Sequence, residues 1–282
     1  PLMEQVTTEN RITTYLPTRI DPAMIDSIMR KDGSFDFSPA QIAETKAFAG
    51  KYHVSALPVR QPGRFFGVGS RDRIFNYLRS WGRAFEKSGL TDLPSHTYVS
   101  DEPGSEEDYE SVRQWGKVIK GANTRIKRLV VEQTKTQDVT FGDLYGAVDI
   151  WVPLATLFDP KSAAKRQALG EEIWVYTALC QGRNTPLWHI DRPVLNYRAP
   201  SLIAWRHGIT GLLYAGRMAW WRELKDPWTD PANHGEYIGE GNLLYPGGDV
   251  GFKGPIPSLR LKVLRSGLQD YDYLHILDRR GL

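Results

Sequence analysis

The sequence predicts an α/β fold of parallel strands, in the form of a TIM-like (β/α)8 barrel. Short runs rich in β-branched and aromatic residues alternate regularly with helical patterns, which is typical of a parallel sheet. Seven such strands can be counted, and seven or eight βα units favour a closed barrel over an open sheet. The 282 residues also suit one barrel, because α/β barrels of this length commonly form a single domain.

The predicted elements follow one another in the order that such a fold requires. The predicted strands are 12–16, 54–59, 95–100, 128–132, 148–152, 173–178 and 211–215. The predicted helices are 39–52, 71–87, 106–122, 161–169, 199–207 and 259–280. Ser38 and Ser258 suit the N-caps of the first and last helices, and Gly89 suits the end of the second. An eighth strand is not apparent, so we expect a barrel that lacks its first strand.

Residues 1–282 are predicted to form a single (β/α) barrel catalytic domain, as a fragment of a longer multidomain chain. The sequence begins at Pro1 rather than at a methionine, and it shows no signal peptide. The compartment is therefore left open, with a secreted or periplasmic location as one expectation.

Composition argues against several classes of function. Hydrophobic residues are 41% and charged residues 24%, as in ordinary globular proteins, and no apolar run approaches the roughly 18 residues of a membrane helix. The net charge of +3 comes from scattered Lys and Arg residues without a nucleic-acid motif. Cys180 is the single cysteine, which excludes an intramolecular disulfide and a cysteine metal site. We expect no cofactor, no metal ion, no nucleic-acid partner and no membrane partner, and the oligomeric state is left open.

Asp101 and Glu102 form the most informative motif, because two adjacent carboxylates follow a predicted strand. Parallel α/β folds place chemistry at the carboxyl ends of their strands. Side chains alternate along a strand, so neighbours can converge on one ligand only where the strand ends. Pro103 follows directly, and we expect it to hold Glu102 in an extended conformation. The alternative is a structural one, in which the carboxylates belong to a helix start and its solvated surface.

Other motifs are weaker. The segment 67–70 (GVGS) lacks the ending of a phosphate loop, and no Gly-x-Ser-x-Gly nucleophile elbow occurs. His189 and Asp191 lack further clustered ligands, so a hydrogen-bonded pair is favoured over a metal site. Among the remaining carboxylates near strand ends, Glu132 stays a candidate, whereas Asp149 lies inside its predicted strand and is expected to be structural.

A long loop and an abundance of aromatic residues complete the functional signals. No convincing element is predicted over 222–257, a stretch with seven Gly and five Pro. Long loops in compact domains are usually functional, and this one follows the last predicted barrel strand, so we expect it to line the substrate site. The chain has nine Trp and 13 Tyr, whose faces suit the C–H surface of a sugar. Paired carboxylates together with these aromatics indicate glycoside chemistry.

A series of motifs resembles glycoside hydrolase family 123. In chain order they are 34–38 (SFDFS), 101–103 (DEP), 149–153 (DIWVP), 211–214 (GLLY), 226–228 (DPW), 245–247 (YPG) and 265–274 (RSGLQDYDYL). The likeness runs over about residues 12–280, and the last motif is the most specific. The chain looks like the catalytic barrel of that family without its flanking β-sandwich domains.

The resemblance implies a retaining exo-β-N-acetylgalactosaminidase-like enzyme that uses the substrate's own 2-acetamido group as nucleophile. Glu102 is then the general acid/base, and Asp101 orients and polarises the acetamido N–H. The candidates for the sugar-binding wall are Tyr176, Tyr214, Trp221 and Trp228. Two alternatives stay open, namely a related glycosidase acting on a different sugar and a non-catalytic carbohydrate-binding barrel.

Overall fold

The computed structural model describes residues 2–13, 22–178, 185–214, 218–219, 226–231 and 237–282. The chain divides into two compact units. The N-terminal unit is Thr13–Glu132 with Thr136–Trp151, and the C-terminal unit is Pro1–Ile12 with Gln133–Lys135 and Val152–Leu282. The expectation of one catalytic domain over the whole chain stays a prediction.

Helices and strands alternate through most of the described sequence. The helices are α1 (Leu2–Glu9), α2 (Pro22–Ile28), α3 (Pro39–Lys51), α4 (Arg71–Lys87), α5 (Glu106–Gly121), α6 (Pro160–Gln167), α7 (Leu195–Arg206) and α8 (Leu259–Arg279). The strands are β1 (Leu57–Val59), β2 (Ser95–Asp101), β3 (Lys127–Val131), β4 (Ile150–Trp151), β5 (Glu172–Tyr176), β6 (Gly211–Leu213), β7 (Leu244–Pro246) and β8 (Pro255–Pro257). Within the described residues, no helix is both long and apolar enough to cross a bilayer.

The N-terminal unit is built on a parallel sheet in which β1, β2, β3 and β4 hydrogen-bond in chain order. Helix α4 contributes an apolar stripe to the core beneath it, with Ile74, Tyr77, Leu78 and Trp81 spaced at helical intervals and buried. Helix α5 returns the chain from β2 to β3, as a parallel connection requires. This arrangement brings the carboxyl ends of β2 and β3 side by side.

Local sequence explains where the helices of this unit begin. Ser38 caps α3 in a capping box, in which its side chain accepts from the Gln41 N–H and the Gln41 side chain accepts from the Ser38 N–H. Ser105 caps α5 by accepting from the N–H of Asp108. The Ser105 cap fixes the start of α5 directly after the acidic pair and the turn that follows it.

The C-terminal unit contains the parallel pair β5 and β6 and the helix pair α7 and α8. Gly211 pairs with Trp174 across the two strands, and a Cβ there would clash with the Trp174 ring. The two helices approach closely at Gly267, where an added Cβ would lie 2.7 Å from the carbonyl oxygen of Arg198. Arg198 also joins the helices through an ion pair with Asp270, with 2.5 Å between Nε and Oδ2.

Six parallel strands with intervening helices establish the α/β class. They are consistent with a (β/α) barrel that lacks strands. All predicted strands from 54–59 to 211–215 are found, with bounds that differ from the predicted ones by up to three residues. In the first predicted strand, 12–16, Ile12 and Thr13 do not form a strand. The other residues of this stretch lie outside the described part of the chain.

The absence of any element over 222–257 was a wrong prediction. The described part of this stretch holds the antiparallel pair β7 and β8, in which Tyr245 is opposite Ile256, with a short 3-10 turn between the strands. Both strands carry prolines, which a central strand would not tolerate but a two-stranded edge does. A Cβ on Gly247 would clash with the carbonyl oxygen of Gly254. The Gly and Pro content therefore reflects a tight hairpin.

Candidate active site

The acidic pair lies at the carboxyl end of β2, as the sequence predicts. Asp101 is the last residue of the strand and is in register with Val131 of β3. The backbone N–H of Glu102 continues the ladder by donating to the carbonyl oxygen of Val131 at 3.0 Å. Both carboxylate side chains are exposed. Two acidic groups are thus presented together by a fixed backbone.

The expected extended conformation of Glu102 is wrong, because its φ is +46°. Pro103 disfavours the right-handed helical region for the preceding residue, and a positive φ also avoids that region. The N–H of Glu102 is held by Val131 while Pro103 is buried, so the chain must turn within Glu102 itself. A left-handed conformation costs a non-glycine residue about 1–2 kcal/mol. Such conformations cluster at functional sites.

A bulge in β2 brings a tyrosine to Asp101. The register against β3 shifts between Tyr98 and Ser100, and Val99 is the additional residue. The Tyr98 hydroxyl donates to Oδ1 of Asp101 at 2.7 Å. This contact is not predictable from local sequence, because residues three apart in a regular strand face opposite sides. The signal available was a tyrosine three residues before the acidic pair.

Two further carboxylates near strand ends in the same unit are already engaged. Glu132 follows β3 and hydrogen-bonds Tyr109, whose pKa is raised by burial and then by the charge and hydrogen bond of Glu132. Asp149 precedes β4 and binds the 5% exposed guanidinium of Arg128, with 2.7 Å between Nε and Oδ2. Burial raises the pKa of Asp149, but the hydrogen bonds and charge of Arg128 outweigh it, so that the pKa is lowered. Asp149 thus has the expected structural role, one residue before the strand.

The C-terminal unit holds a buried polar cluster around Tyr214. The Tyr214 hydroxyl accepts from the N–H of Gly241 at 2.8 Å and hydrogen-bonds the carboxylate of Glu240. Burial raises the pKa of Glu240, although the Tyr214 hydrogen bond and the Arg260 charge act in the opposite direction. His189 Nε2 lies 3.7 Å from Oε2 of Glu240, and both side chains are buried. Candidate Tyr214 therefore belongs to a polar network of its own unit.

His189 stands out in the sequence, whereas Glu240 does not. Glu240 stands between two glycines in a stretch that reads as loop, so nothing local marks it as buried. The ring of His189 also packs 5.7 Å from that of Tyr237. Across the described ranges, no group of three His, Cys, Asp or Glu side chains could hold a metal ion.

The other aromatic candidates occupy different settings in the C-terminal unit. Trp228 is 41% exposed, its Nε1 donates to the carbonyl oxygen of Pro246 at 3.0 Å, and its ring lies 4.9 Å from that of Tyr245. Tyr176 is the half-buried last residue of β5. Trp221 lies outside the described residues. A sugar-binding role for all four aromatics stays a prediction.

Comparison with solved structures gives matches of low sequence identity. The endo-beta-1,4-glucanase Xac0029 from Xanthomonas axonopodis pv. citri has 10% identity and a TM-score of 0.49, over 95% of this chain and 89% of that chain. The GH53 catalytic domain of Ignisphaera aggregans has 13% identity and a TM-score of 0.42, over 94% of this chain and 88% of that chain. None of the curated proteins matches.

Exposed paired carboxylates at the end of a parallel strand suit glycoside hydrolysis, in which carboxyl groups act as acid and base. The family model described as "Glycoside hydrolase 123, catalytic domain" matches residues 71–277, a range that includes Asp101 and Glu102. The match covers more than half of the chain, which therefore belongs to glycoside hydrolase family 123. The resemblance drawn from the motifs is confirmed, and the protein is a glycoside hydrolase acting on glycans.

Proposed function

We propose that the chain is a retaining, exo-acting β-N-acetylgalactosaminidase-like enzyme with a substrate-assisted mechanism. Glu102 donates a proton to the leaving glycosidic oxygen while the substrate's acetamido oxygen attacks the anomeric carbon. Asp101 receives the acetamido N–H and stabilises the positive charge that develops on the nitrogen. Glu102 then removes a proton from the water that opens the oxazolinium-type intermediate, and two inversions give net retention.

The observation that carries this proposal is the adjacency of Asp101 and Glu102 at one strand end. A retaining enzyme with a protein nucleophile uses carboxyl groups roughly 5–5.5 Å apart, acting on the glycosidic oxygen and on the anomeric carbon. An adjacent pair serves assisted catalysis more naturally, because no second carboxylate has to attack the anomeric carbon. Asp149, bound to Arg128, and Glu132, bound to Tyr109, are both engaged elsewhere. The positive φ of Glu102 adds support, since strain of this kind is common at functional sites.

A sugar-binding role for the aromatic candidates is a further part of the proposal. Tyr176, Tyr214, Trp221 and Trp228 are proposed to contact the sugar. Aromatic faces pack against the C–H surface of a pyranose ring, and the Tyr and Trp polar edges can bond its hydroxyls. The half-exposed ring of Trp228 is available for such a contact, while its Nε1 is already bonded to Pro246.

Glu102→Gln tests the acid/base role. We expect the turnover of a natural glycoside to fall by roughly 10²–10⁴-fold, because general acid catalysis typically contributes this much. Aryl glycosides with a very good leaving group should lose less, since they need little protonation. Glu107→Gln, on the exposed first turn of α5, is the matched control and should retain full turnover. Turnover of a natural glycoside within twofold of wild type for Glu102→Gln would remove Glu102 from this role.

Asp101→Asn tests the assisted mechanism. We expect a loss of roughly 10²–10³-fold on 2-acetamido substrates, comparable to removing one electrostatic stabiliser. Added azide should give no glycosyl azide, because no protein nucleophile is missing. Substrates without the acetamido group should be poor for wild type and indifferent to the substitution. Efficient turnover of those substrates, or a covalent adduct on Asp101, would favour the alternative of a related glycosidase for another sugar.

A panel of nitrophenyl β-glycosides identifies the sugar. We expect the N-acetylgalactosaminide to be the best substrate. A different best sugar would point to the related glycosidase. Activity on none of them, with sugar binding retained in calorimetry, would point to the carbohydrate-binding barrel.

A further inference from the structure

We propose that Tyr98 is a positioning residue, whose hydroxyl holds the carboxylate of Asp101 in the orientation that receives the substrate's acetamido N–H. The inference rests on the proposed function. It comes from the register of β2, which places a phenol and a carboxylate in contact at the end of a parallel strand.

The register explains how residues three apart reach each other. Tyr98 is in register with Leu129 and Asp101 with Val131, so their partners on β3 are two residues apart. Residues two positions apart on a strand share a face. Because Val99 is bulged out of the register, Asp101 lies on the same face as Tyr98. In a regular strand that kept all four residues, side chains three apart would point to opposite sides.

The chemistry of the contact fixes its direction. A neutral phenol can donate, and an ionised carboxylate only accepts, so the Tyr98 hydroxyl is the donor at 2.7 Å to Oδ1. Hydrogen bonds to charged acceptors are stronger than neutral ones. With Oδ1 engaged by Tyr98, the acetamido N–H is received by Oδ2, and the carboxylate plane is set before substrate arrives.

The exposure of Asp101 explains why a hydrogen bond from Tyr98 would matter for its orientation. An exposed aspartate on a strand end samples several rotamers, whereas catalysis by charge stabilisation needs the charge held in place before the reaction. Tyrosine reaches over with only two side-chain torsions and therefore loses little entropy. The ring of Tyr98 is itself 37% exposed, so a stacking contact with sugar is the rival explanation.

A double-mutant cycle tests the inference on the whole chain. We expect Tyr98→Phe to lower kcat on the 2-acetamido substrate by roughly tenfold or more, since it loses a hydrogen bond to a charged group while keeping the ring. KM should change little, and binding of an N-acetylhexosamine thiazoline should weaken in step with kcat. Combined with Asp101→Asn, Tyr98→Phe should cost no more than Asp101→Asn alone.

Two further variants separate the explanations. Tyr98→Leu should match Tyr98→Phe if the hydroxyl is the active part, and a much larger rise in KM for Tyr98→Leu would make the ring a sugar platform and overturn the inference. Tyr273→Phe, on an exposed position of α8, is the control for loss of a phenol and should behave as wild type.

The outcomes also separate this inference from the proposed function. Wild-type kcat for Tyr98→Phe, together with a collapse for Asp101→Asn, would overturn the role of Tyr98 and leave the assisted mechanism standing. Additive losses in the double variant would equally overturn it, because the two side chains would then act independently. Full activity of Asp101→Asn would instead overturn the proposed function itself.

Discussion

At the scale of the single residue, the backbone of Glu102 combines two demands that usually conflict. Its N–H stays in the ladder with Val131, and its φ is +46°, which suits glycine far better than a side chain with a Cβ. Glycine at this position would relax the backbone but remove the carboxylate. Glutamate therefore keeps its carboxylate here at a cost in backbone strain, and strain of this kind is common at functional sites.

The strain can be measured with two variants that both lack the carboxylate. We expect Glu102→Gly to be more stable than Glu102→Ala by about 1 kcal/mol, because only the alanine keeps the left-handed penalty. Urea unfolding of both proteins gives the difference, and neither variant carries the carboxylate. Equal stabilities would mean that the positive φ costs nothing.

At the scale of the element, helix α8 meets α7 through a glycine. An added Cβ on Gly267 would lie 2.7 Å from the Arg198 carbonyl oxygen and 3.1 Å from Oγ of Ser201. The Arg198 oxygen is a backbone atom of α7, so it cannot yield cheaply. The glycine therefore offsets its own low helix propensity by permitting close packing of the two helices.

Gly267→Ala should destabilise the protein by about 1–3 kcal/mol, as overpacking does, despite the gain in helix propensity. Gly82→Ala is the matched control, since a Cβ at Gly82 in α4 meets nothing within 4 Å. It should stabilise by about 1 kcal/mol. Chemical unfolding curves give both signs, and a stabilising Gly267→Ala would show that α7 and α8 can move apart freely.

At the scale of the whole molecule, the pair formed by Arg128 and Asp149 couples folding to pH. The folded-state pKa of Asp149 is lowered, chiefly because Arg128 overcomes the opposing effect of burial. A lowered pKa contributes stability above the unfolded-state pKa, near 3.9, and that contribution is lost as the pH falls through the folded value. The guanidinium of Arg128 would be left buried without its partner once Asp149 is protonated.

We expect Asp149→Asn to lose stability at pH 7, by less than the roughly 3–5 kcal/mol of a fully buried pair, because the Asp149 side chain is 34% exposed and solvent screens its charge. Its free energy of unfolding should also fall less steeply than that of wild type below about pH 4. Thermal or urea unfolding between pH 2 and 7 measures both effects. Parallel pH profiles for the two proteins would contradict the assignment.

The sequence predicts features that depend on neighbouring residues, but not features that depend on residues far apart in the chain. The strand before the acidic pair and the capped helix after it are set by neighbouring residues, so both were found. The contact between Tyr98 and Asp101 depends on how β2 pairs with β3, and register is a property of two strands. Glu240 is buried and hydrogen-bonds Tyr214, 26 positions earlier in the sequence, and no local pattern encodes that contact. The hairpin of β7 and β8 was hidden by prolines that read as loop.

The additional residue in β2 also changes how the site would respond to deletion of one residue. Deleting one residue from a regular strand reverses the facing of everything beyond it. Deleting Val99 would leave Tyr98 opposite Leu129, Ser100 opposite Val130 and Asp101 opposite Val131, the pairing they already have. The apolar contact of Val99 with the core and the extra local twist would be lost. The side chains of Asp101 and Glu102 would still face the same sides of the sheet as before. Position 99 is thus the place in β2 where deletion of one residue best preserves the arrangement of the two carboxylates.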